Sequence, residues 1–247
     1  MNTKDLFSGN ASEYAAFRPD YPSELYDFIF SHITHFNTAW DCGTGNGQAA
    51  KILSGKFENV FATDISDKQM AKGFMANNIF YSVSAAEKTS FPDHQFDLIT
   101  VAQAAHWFKL EEFYEEVNRV SKPDAVLAIW GYGLLSVNPE FDNHLQHFYK
   151  NVIGSYWDPE RKLIDEEYKT IPFPFNEIFP PKFNFTKQWS LAQLEGYLTT
   201  WSAVQKFIKA KSTNPVSEFI RSTQSLFGVG LKEVRFPLFM KIGFVKK

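Results

Sequence analysis

Apolar residues along this chain form short continuous runs that are separated by helical stripes. The runs have the length of buried β-strands and lie at residues 39–42, 60–63, 79–83, 96–102 and 125–130. Between the runs, apolar residues recur three or four positions apart, as in Phe113, Val117 and Val120, which predicts helices. Strands that alternate with helices predict an α/β fold with a parallel, doubly wound sheet.

This regular alternation stops after Gly131. Residues 133–181 carry scattered aromatic residues and a run rich in proline and phenylalanine between Ile171 and Pro181. Because proline lacks the amide hydrogen that a central strand or a helix interior needs, we predict a lid or insertion over a ligand cleft at about 133–181.

Regular patterns return towards the end of the chain. They predict ordered structure at 184–189, a helix from Leu191, a helix near 216–226 and a late strand at 234–245. We therefore expect one domain over residues 1–247, with residues 1–37 as an N-terminal arm before the first strand.

Length and charge exclude several classes of function. A chain of 247 residues is long enough to bury a sizeable core, and its net charge of -3 provides no broad basic surface for nucleic acid. No stretch approaches the roughly 20 apolar residues of a membrane helix. The single cysteine, Cys42, agrees with a reducing compartment. We expect a cytoplasmic protein, a monomer or weak dimer, with no nucleic-acid or membrane partner and no metal site.

The most informative chemical signal is a glycine-rich segment after the first predicted strand. Asp41 precedes Gly43, Gly45 and Gly47, and Asp64 ends the next apolar run. In nucleoside-binding βαβ units such glycines let the backbone approach the ligand, and an acid after the second strand binds the ribose hydroxyls. The spacing Gly-x-Gly-x-Gly is tighter than the dinucleotide motif, and its acid suits a cationic ligand better than a pyrophosphate. An ordinary tight turn and a nicotinamide site remain as alternatives.

Together with later segments, this motif resembles the class I S-adenosylmethionine-dependent methyltransferases, and within them the small-molecule group that includes trans-aconitate methyltransferases. The matching segments are 14–22, 41–47, Asp64, 84–87, 96–108, 119–123 and 201–206. The similarity covers most of the chain and thins across the predicted lid. One departure is Pro123-Asp124-Ala125, where the family usually has Pro-Gly-Gly; proline followed by aspartate still suits a type I turn.

The resemblance implies a Rossmann-like sheet of seven strands, mostly parallel with the last strand antiparallel. It also implies S-adenosylmethionine as the cofactor, with S-adenosylhomocysteine as its product, at the carboxyl ends of the first and fourth strands. Asp64 would bind the ribose, Ile65 would cover the adenine, and Gln103 would close the site beside the methionine group. The residues carried over to this cofactor site are Asp41, Gly43, Gly45, Gly47, Asp64, Ile65, Ala86, Glu87 and Gln103.

The acceptor side of the predicted site centres on His106, a few residues after the fourth strand. There the donor methyl group should point, so we predict a catalytic or substrate-contacting role, with a packed, hydrogen-bonded histidine as the alternative. Arg18 on the N-terminal arm could hold a carboxylate of the donor or of the acceptor bidentately. The residues predicted to contact the acceptor are Tyr14, Arg18, Tyr21, Trp107, Trp130 and Tyr132.

These observations predict methyl transfer to a small molecule, with a carboxylate as a candidate acceptor. A carboxylate is already a nucleophile, so His106 would orient it or donate a hydrogen bond; with a phenol, thiol or amine, His106 would act as the base. A protein that binds S-adenosylmethionine without catalysis and a nicotinamide-dependent oxidoreductase are the alternatives.

Overall fold

The computed structural model describes residues 17–245. Its strands are β1 (Thr38–Cys42), β2 (Asn59–Asp64), β3 (Ile79–Val83), β4 (Phe96–Ala102), β5 (Ser121–Tyr132), β6 (Asn176–Ile178), β7 (Thr186–Trp189), β8 (Lys232–Arg235) and β9 (Leu238–Phe244). Its α-helices are α1 (Ser23–Phe30), α2 (Gln48–Leu53), α3 (Asp67–Met70), α4 (Leu110–Val120), α5 (Pro139–His147), α6 (Arg161–Asp165), α7 (Leu191–Thr199), α8 (Ser202–Lys211) and α9 (Pro215–Phe227).

The main sheet of the described chain has seven strands in the order β3-β2-β1-β4-β5-β9-β6. Strands β1 to β5 pair in parallel, and β9 runs antiparallel to both of its neighbours, β5 and β6. This confirms the predicted α/β fold, a mostly parallel Rossmann-like sheet with one antiparallel strand. Its strand order reverses between β1 and β4, which creates a crevice at their carboxyl ends.

The central strands are almost continuously apolar because both faces of the sheet are covered. On one face, Trp40, Ile99 and Leu127 pack with Phe113 and Val117 of α4. On the other face, alternate strand residues pack against α1 and α2: Ala39, Leu98 and Val126 with Leu25, Ile29, Ala50 and Leu53. The alternation of neighbouring residues between two cores is the period-two geometry of a strand.

A third core lies beside the sheet, within residues 134–157 and 185–236, which we call the helical cap. It contains α5 and α7 to α9, together with the two-stranded sheet of β7 and β8. Phe141, Phe148 and Phe219 pack against one another in its centre, with ring centroids 4.8–5.6 Å apart for the pairs that Phe219 forms. The high aromatic content of the chain is therefore shared between this helical cap and the two cores of the main sheet.

The structure corrects the extent of the predicted lid. Its first part, up to residue 157, belongs to the helical cap, but the proline-rich part runs along the side of the main sheet. The Tyr114 hydroxyl donates to the carbonyl oxygen of Pro172, and β6 then pairs with β9 as the edge strand. The prolines of this stretch lie before and after β6 and not within it, so no hydrogen bond of the sheet is lost.

Two strand boundaries also differ from the prediction. The late strand predicted at 234–245 is divided into β8 and β9 by Phe236-Pro237. Strand β5 begins at Ser121, and its pairing with β4 is irregular in place of the expected type I turn, with Asp124 at a φ of 63°. This left-handed conformation favours glycine, and aspartate is among the few other residues that tolerate it.

Within residues 17–245, none of the helices has both the length and the apolar character that crossing a membrane requires.

Candidate active site

A cleft of about 730 Å³ opens at the carboxyl ends of the parallel strands. It is lined by the loop after β1, by residues 64–66 after β2, by residues 84–88 after β3 and by residues 102–109 after β4. Its volume lies within the range of small-molecule sites, and its position is where parallel α/β sheets bind their ligands.

The glycine loop after β1 forms the floor of this cleft. Gly43 and Gly45 line it, with φ values of 68° and 55°. A Cβ atom on Gly43 would lie 2.6 Å from the Cβ atom of Ala104 in the loop after β4, so the two loops approach as closely as backbone allows. Gly47 differs from its prediction: it caps α2 at a φ of 76° and packs beneath Tyr81, behind the surface that lines the cleft.

Asp41 also differs from its predicted role as a cofactor contact. It is 1% exposed and accepts hydrogen bonds from the hydroxyls of Thr44 and Thr100 and from the amide of Ala50. Burial raises the pKa of this carboxyl to about 6, although its hydrogen bonds act in the opposite direction. Asp41 therefore braces the glycine loop and the start of α2 from below.

Asp64 lies at the end of β2 on the wall of the cleft. Its Oδ2 accepts the amide hydrogen of Gly45 at 2.9 Å, and its Oδ1 accepts that of Ser66, also at 2.9 Å. These two bonds hold the carboxylate in a fixed orientation on the wall of the cleft. A ligand with two neighbouring hydroxyls could be bound there.

The apolar wall beyond Asp64 is formed by Ile65 and Ala86, and Glu87 lies beside them; all three line the cleft. Glu87 also accepts the backbone amide hydrogen of Lys109 at 2.9 Å, which links the loops after β3 and β4. A flat aromatic ligand group with polar edges would fit between this wall and the glycine loop.

Gln103 lines the opposite end of the cleft, but its side-chain amide is already committed. It donates to the carbonyl oxygen of Tyr132 at 3.1 Å and accepts from the Tyr132 amide at 2.8 Å. With a φ of 55°, Gln103 ends β4 abruptly and ties it to the end of β5. Its contribution to the site includes this positioning of the β4 loop.

A smaller pocket of about 40 Å³ adjoins the cleft and shares four residues with it, namely Arg18, Gln103, His106 and Trp107. The remaining wall of this pocket is supplied by the helical cap and by the segment that leads into α6: Trp157, Asp158, Arg161, Trp201 and Ser202. The small pocket therefore adjoins the cleft along the His106 and Trp107 turn.

His106 is 8% exposed, and its Nδ1 lies 3.0 Å from the hydroxyl of Tyr168. Burial and the nearby charge of Arg161 lower the pKa of His106 to about 3, so the imidazole is neutral. Burial raises the pKa of Tyr168 well above its usual value, so this phenol keeps its proton and can donate to Nδ1. We assign the tautomer on that ground, with the ring proton on Nε2.

The structure brings most of the predicted acceptor residues together. Arg18, Tyr21, Trp107 and Tyr132 line the cleft with His106, and an Arg18 Nη1 group donates to the Tyr132 hydroxyl at 3.0 Å. Tyr14 lies outside the described residues.

Trp130, in contrast, is fully buried in the main core. There Tyr21 and Tyr26 pack against it edge-on at 5.6 and 5.9 Å, so it supports the arm residue Tyr21 from behind and does not line the cleft. Trp130 and Tyr132 are two residues apart and lie on the same face of β5, but Trp130 is further from the carboxyl end of the strand and is covered by Tyr21, whereas Tyr132 reaches the cleft. The prediction that Trp130 contacts the acceptor is therefore wrong.

Sequence reasoning missed Trp157 and Arg161 in the small pocket. Both come from the stretch in which the family resemblance thins and no periodic pattern guides a prediction. Trp201 lies in a segment that resembles the methyltransferase family, residues 201–206, but only the packing of α8 brings it to the pocket.

Comparisons with known proteins agree with this geometry. A family profile for a methyltransferase domain matches residues 40–129, from β1 to β5. A Dictyostelium discoideum protein named as a methyltransferase is 37% identical over 245 residues, which cover 96% of this chain and 93% of that protein. The chain belongs to the class I S-adenosylmethionine-dependent methyltransferases.

Solved structures of this family share the architecture of the new methyltransferase. A protein from Anaeromyxobacter dehalogenans, named as a type II methyltransferase, superposes with a TM-score of 0.85 at 34% identity, over 93% of this chain and 99% of that one. A Haemonchus contortus phosphoethanolamine N-methyltransferase in complex with S-adenosylhomocysteine has a TM-score of 0.51 at 14% identity, over 98% of this chain and 60% of that one. The second likeness concerns the fold alone.

Proposed function

We propose that this methyltransferase transfers a methyl group from S-adenosylmethionine to a carboxylate oxygen of a small molecule. The observation that carries the proposal is the small pocket beside the cleft, in which Arg18 and Arg161 accompany a neutral His106. Two guanidinium groups favour an anionic acceptor. The resemblance to trans-aconitate methyltransferases supports the same choice.

The residues of the cleft fit S-adenosylmethionine. Gly43 and Gly45 leave room for a ligand against the backbone, and the fixed carboxylate of Asp64 offers acceptors to the ribose hydroxyls. Ile65 and Ala86 would flank the adenine. The donor supplies an activated methyl group on a positively charged sulfur, so the protein has mainly to position the acceptor and to exclude water.

His106 is better suited to donate a hydrogen bond than to remove a proton. A general base is most effective when its pKa lies near the working pH, whereas the pKa of His106 is lowered to about 3. With the proton on Nε2, the ring can donate to an acceptor oxygen and hold it in line with the methyl group. A carboxylate needs no base, which is why it fits this site better than a phenol or an amine.

The test is a screen with S-adenosylmethionine that carries a labelled methyl group. Carboxylic acids, phenols and amines would be offered in parallel, and each labelled product would then be treated with alkali. A methyl ester releases labelled methanol under alkali, whereas a methyl ether or a methylamine does not. Label that is stable to alkali would contradict carboxylate methylation. Binding of S-adenosylhomocysteine without transfer to any acceptor would favour a non-catalytic binding protein.

A further inference from the structure

Arg161, at the start of α6, is held in place by two aromatic residues that also pack against each other, with ring centroids 5.0 Å apart. Its guanidinium carbon lies 4.7 Å from the ring centre of Trp157 and 5.5 Å from that of Tyr149. Its Nε donates to the Tyr149 hydroxyl at 2.7 Å and lies 3.5 Å from a carboxylate oxygen of Asp165. The side chain is 18% exposed, so it has little freedom to reorient. An arginine fixed in this way has already lost the conformational entropy that ligand binding would otherwise cost.

The donors that remain on Arg161 are those best suited to an anion. Within residues 17–245, both its hydrogen bond and its ion pair involve Nε, so the two Nη groups keep their donors. Arg161 lines the small pocket together with His106 and Trp107. Paired Nη groups match the spacing of the two oxygens of a carboxylate.

The acids near this pocket do not cancel the charge of Arg161. Asp158 also lines the pocket, but it forms an ion pair with Lys206. Asp165 lies on the Nε side of Arg161 and is 45% exposed, so solvent screens it. Glu160 lines the larger cleft.

Arg18 is the second cation, and its place differs from that of Arg161. It lines both the donor cleft and the small pocket, and it donates to Tyr132. Of these two cavities, Arg161 lines only the small pocket. Arg18 therefore lies between the two cavities, whereas Arg161 is placed for a group in the small pocket.

We propose that Arg161 is the acceptor-specificity residue of this enzyme and that it binds a carboxylate of the acceptor through its two Nη groups. This inference rests on the proposed function, because it assumes that a carboxylate of the acceptor enters the small pocket while the rest of the acceptor lies in the adjoining cleft. Arg161 acts by contact with the acceptor, and Tyr149 and Trp157 act by holding Arg161. Acids should be bound in preference to neutral molecules of the same skeleton.

Binding experiments test this inference separately from catalysis. The enzyme, saturated with S-adenosylhomocysteine, would be titrated calorimetrically with benzoate and succinate, and then with benzamide and succinamide. We expect the acids to bind at least ten times more tightly than the amides. In R161Q the affinity for the acids should fall about 10- to 100-fold, because hydrogen bonds to a charged group are lost. The preference for acids over amides should then disappear.

Matched variants keep the result interpretable. R221Q removes an exposed arginine of α9 and should retain the acid preference. The affinity for S-adenosylhomocysteine should stay the same in R161Q, which shows that the variant is folded and that Arg161 does not serve the donor. R161K keeps the charge but loses the planar fork, and at least a several-fold loss of acid affinity is expected. This variant provides the test should R161Q fail to bind S-adenosylhomocysteine.

The outcomes distinguish this inference from the proposed function. If R161Q retains the acid preference, or if the wild-type enzyme binds acids no better than amides, Arg161 is not the acceptor-specificity residue. Equal methylation of an acid by R161Q and by wild type would leave carboxylate methylation intact and overturn the inference. If acids bind through Arg161 but no acid yields an alkali-labile product, the proposed function fails and the anion-binding role of Arg161 stands.

Discussion

Replacement of Gly43 by alanine tests the close approach of the two loops that form the floor of the cleft. The new Cβ would lie 2.6 Å from the Cβ of Ala104 and 3.2 Å from Cζ of Phe108. Ala104 carries no flexible side chain, so its backbone would have to move. Gly230 is the matched control, since its φ of 82° resembles the 68° of Gly43 and nothing lies within 4 Å of its would-be Cβ.

The two variants share one cost and differ in another. A left-handed conformation costs an alanine about 1–2 kcal/mol at either position. Overpacking adds about 1–3 kcal/mol at Gly43 alone. We therefore expect G43A to lose about 2–5 kcal/mol of folding free energy and G230A only about 1–2 kcal/mol. For a domain of this size the difference corresponds to a Tm that is lower by about 2–12 °C in G43A.

Thermal unfolding and denaturant titration measure these differences, and calorimetry with S-adenosylhomocysteine measures the consequence for the site. G43A should bind this ligand at least tenfold more weakly, because both Gly43 and Ala104 line the cleft. G230A, which is remote from the cleft, should bind it as wild type does. Equal Tm values for the two variants would refute the packing argument, and wild-type affinity in G43A would refute the role of this loop.

Three further predictions concern acids and the histidine. D64A should bind S-adenosylhomocysteine about 100-fold or more weakly, since charge-assisted hydrogen bonds to both ribose hydroxyls are lost; unchanged affinity in calorimetry would contradict the cofactor assignment. The pKa of Asp41 is 3.8 in the unfolded chain and about 6 in the folded protein, so unfolding between these pH values releases the proton of this carboxyl. The contribution of Asp41 to the free energy of unfolding therefore falls by about 1.4 kcal/mol per pH unit as the pH rises. Denaturant titrations from pH 4 to 6 should show this slope in wild type relative to D41N, and parallel curves would argue against it. Y168F frees Nδ1 of His106 and should lower kcat roughly tenfold with unchanged affinity for S-adenosylhomocysteine, because the tautomer is no longer held; an unchanged kcat would show that the Tyr168 bond is purely structural.

The sequence predicted the donor half of the site better than the acceptor half, for a physical reason. Donor residues such as Gly43 and Asp64 directly follow strands whose apolar runs are evident, and parallel strands bring their carboxyl ends to one edge. Even there, two residues of the motif have a different role from the predicted one. Asp41 and Gly47 brace the loop from beneath. Their role depends on the direction in which each residue faces, and the spacing of the motif does not show that direction.

The acceptor half depends on contacts between segments that are far apart along the chain. Arg161 and Trp201 reach one pocket only because α6 and the helical cap both pack beside the turn that carries His106, and nothing in their local sequence indicates this. The main sheet, the glycine loop and the acid at the end of β2 follow from local periodicity and short motifs, so the sequence alone determined them. Tertiary packing decided the burial of Trp130 beneath Tyr21, the neutral state of His106 and the cations beside it, because burial and distance to other charges exist only in the folded chain.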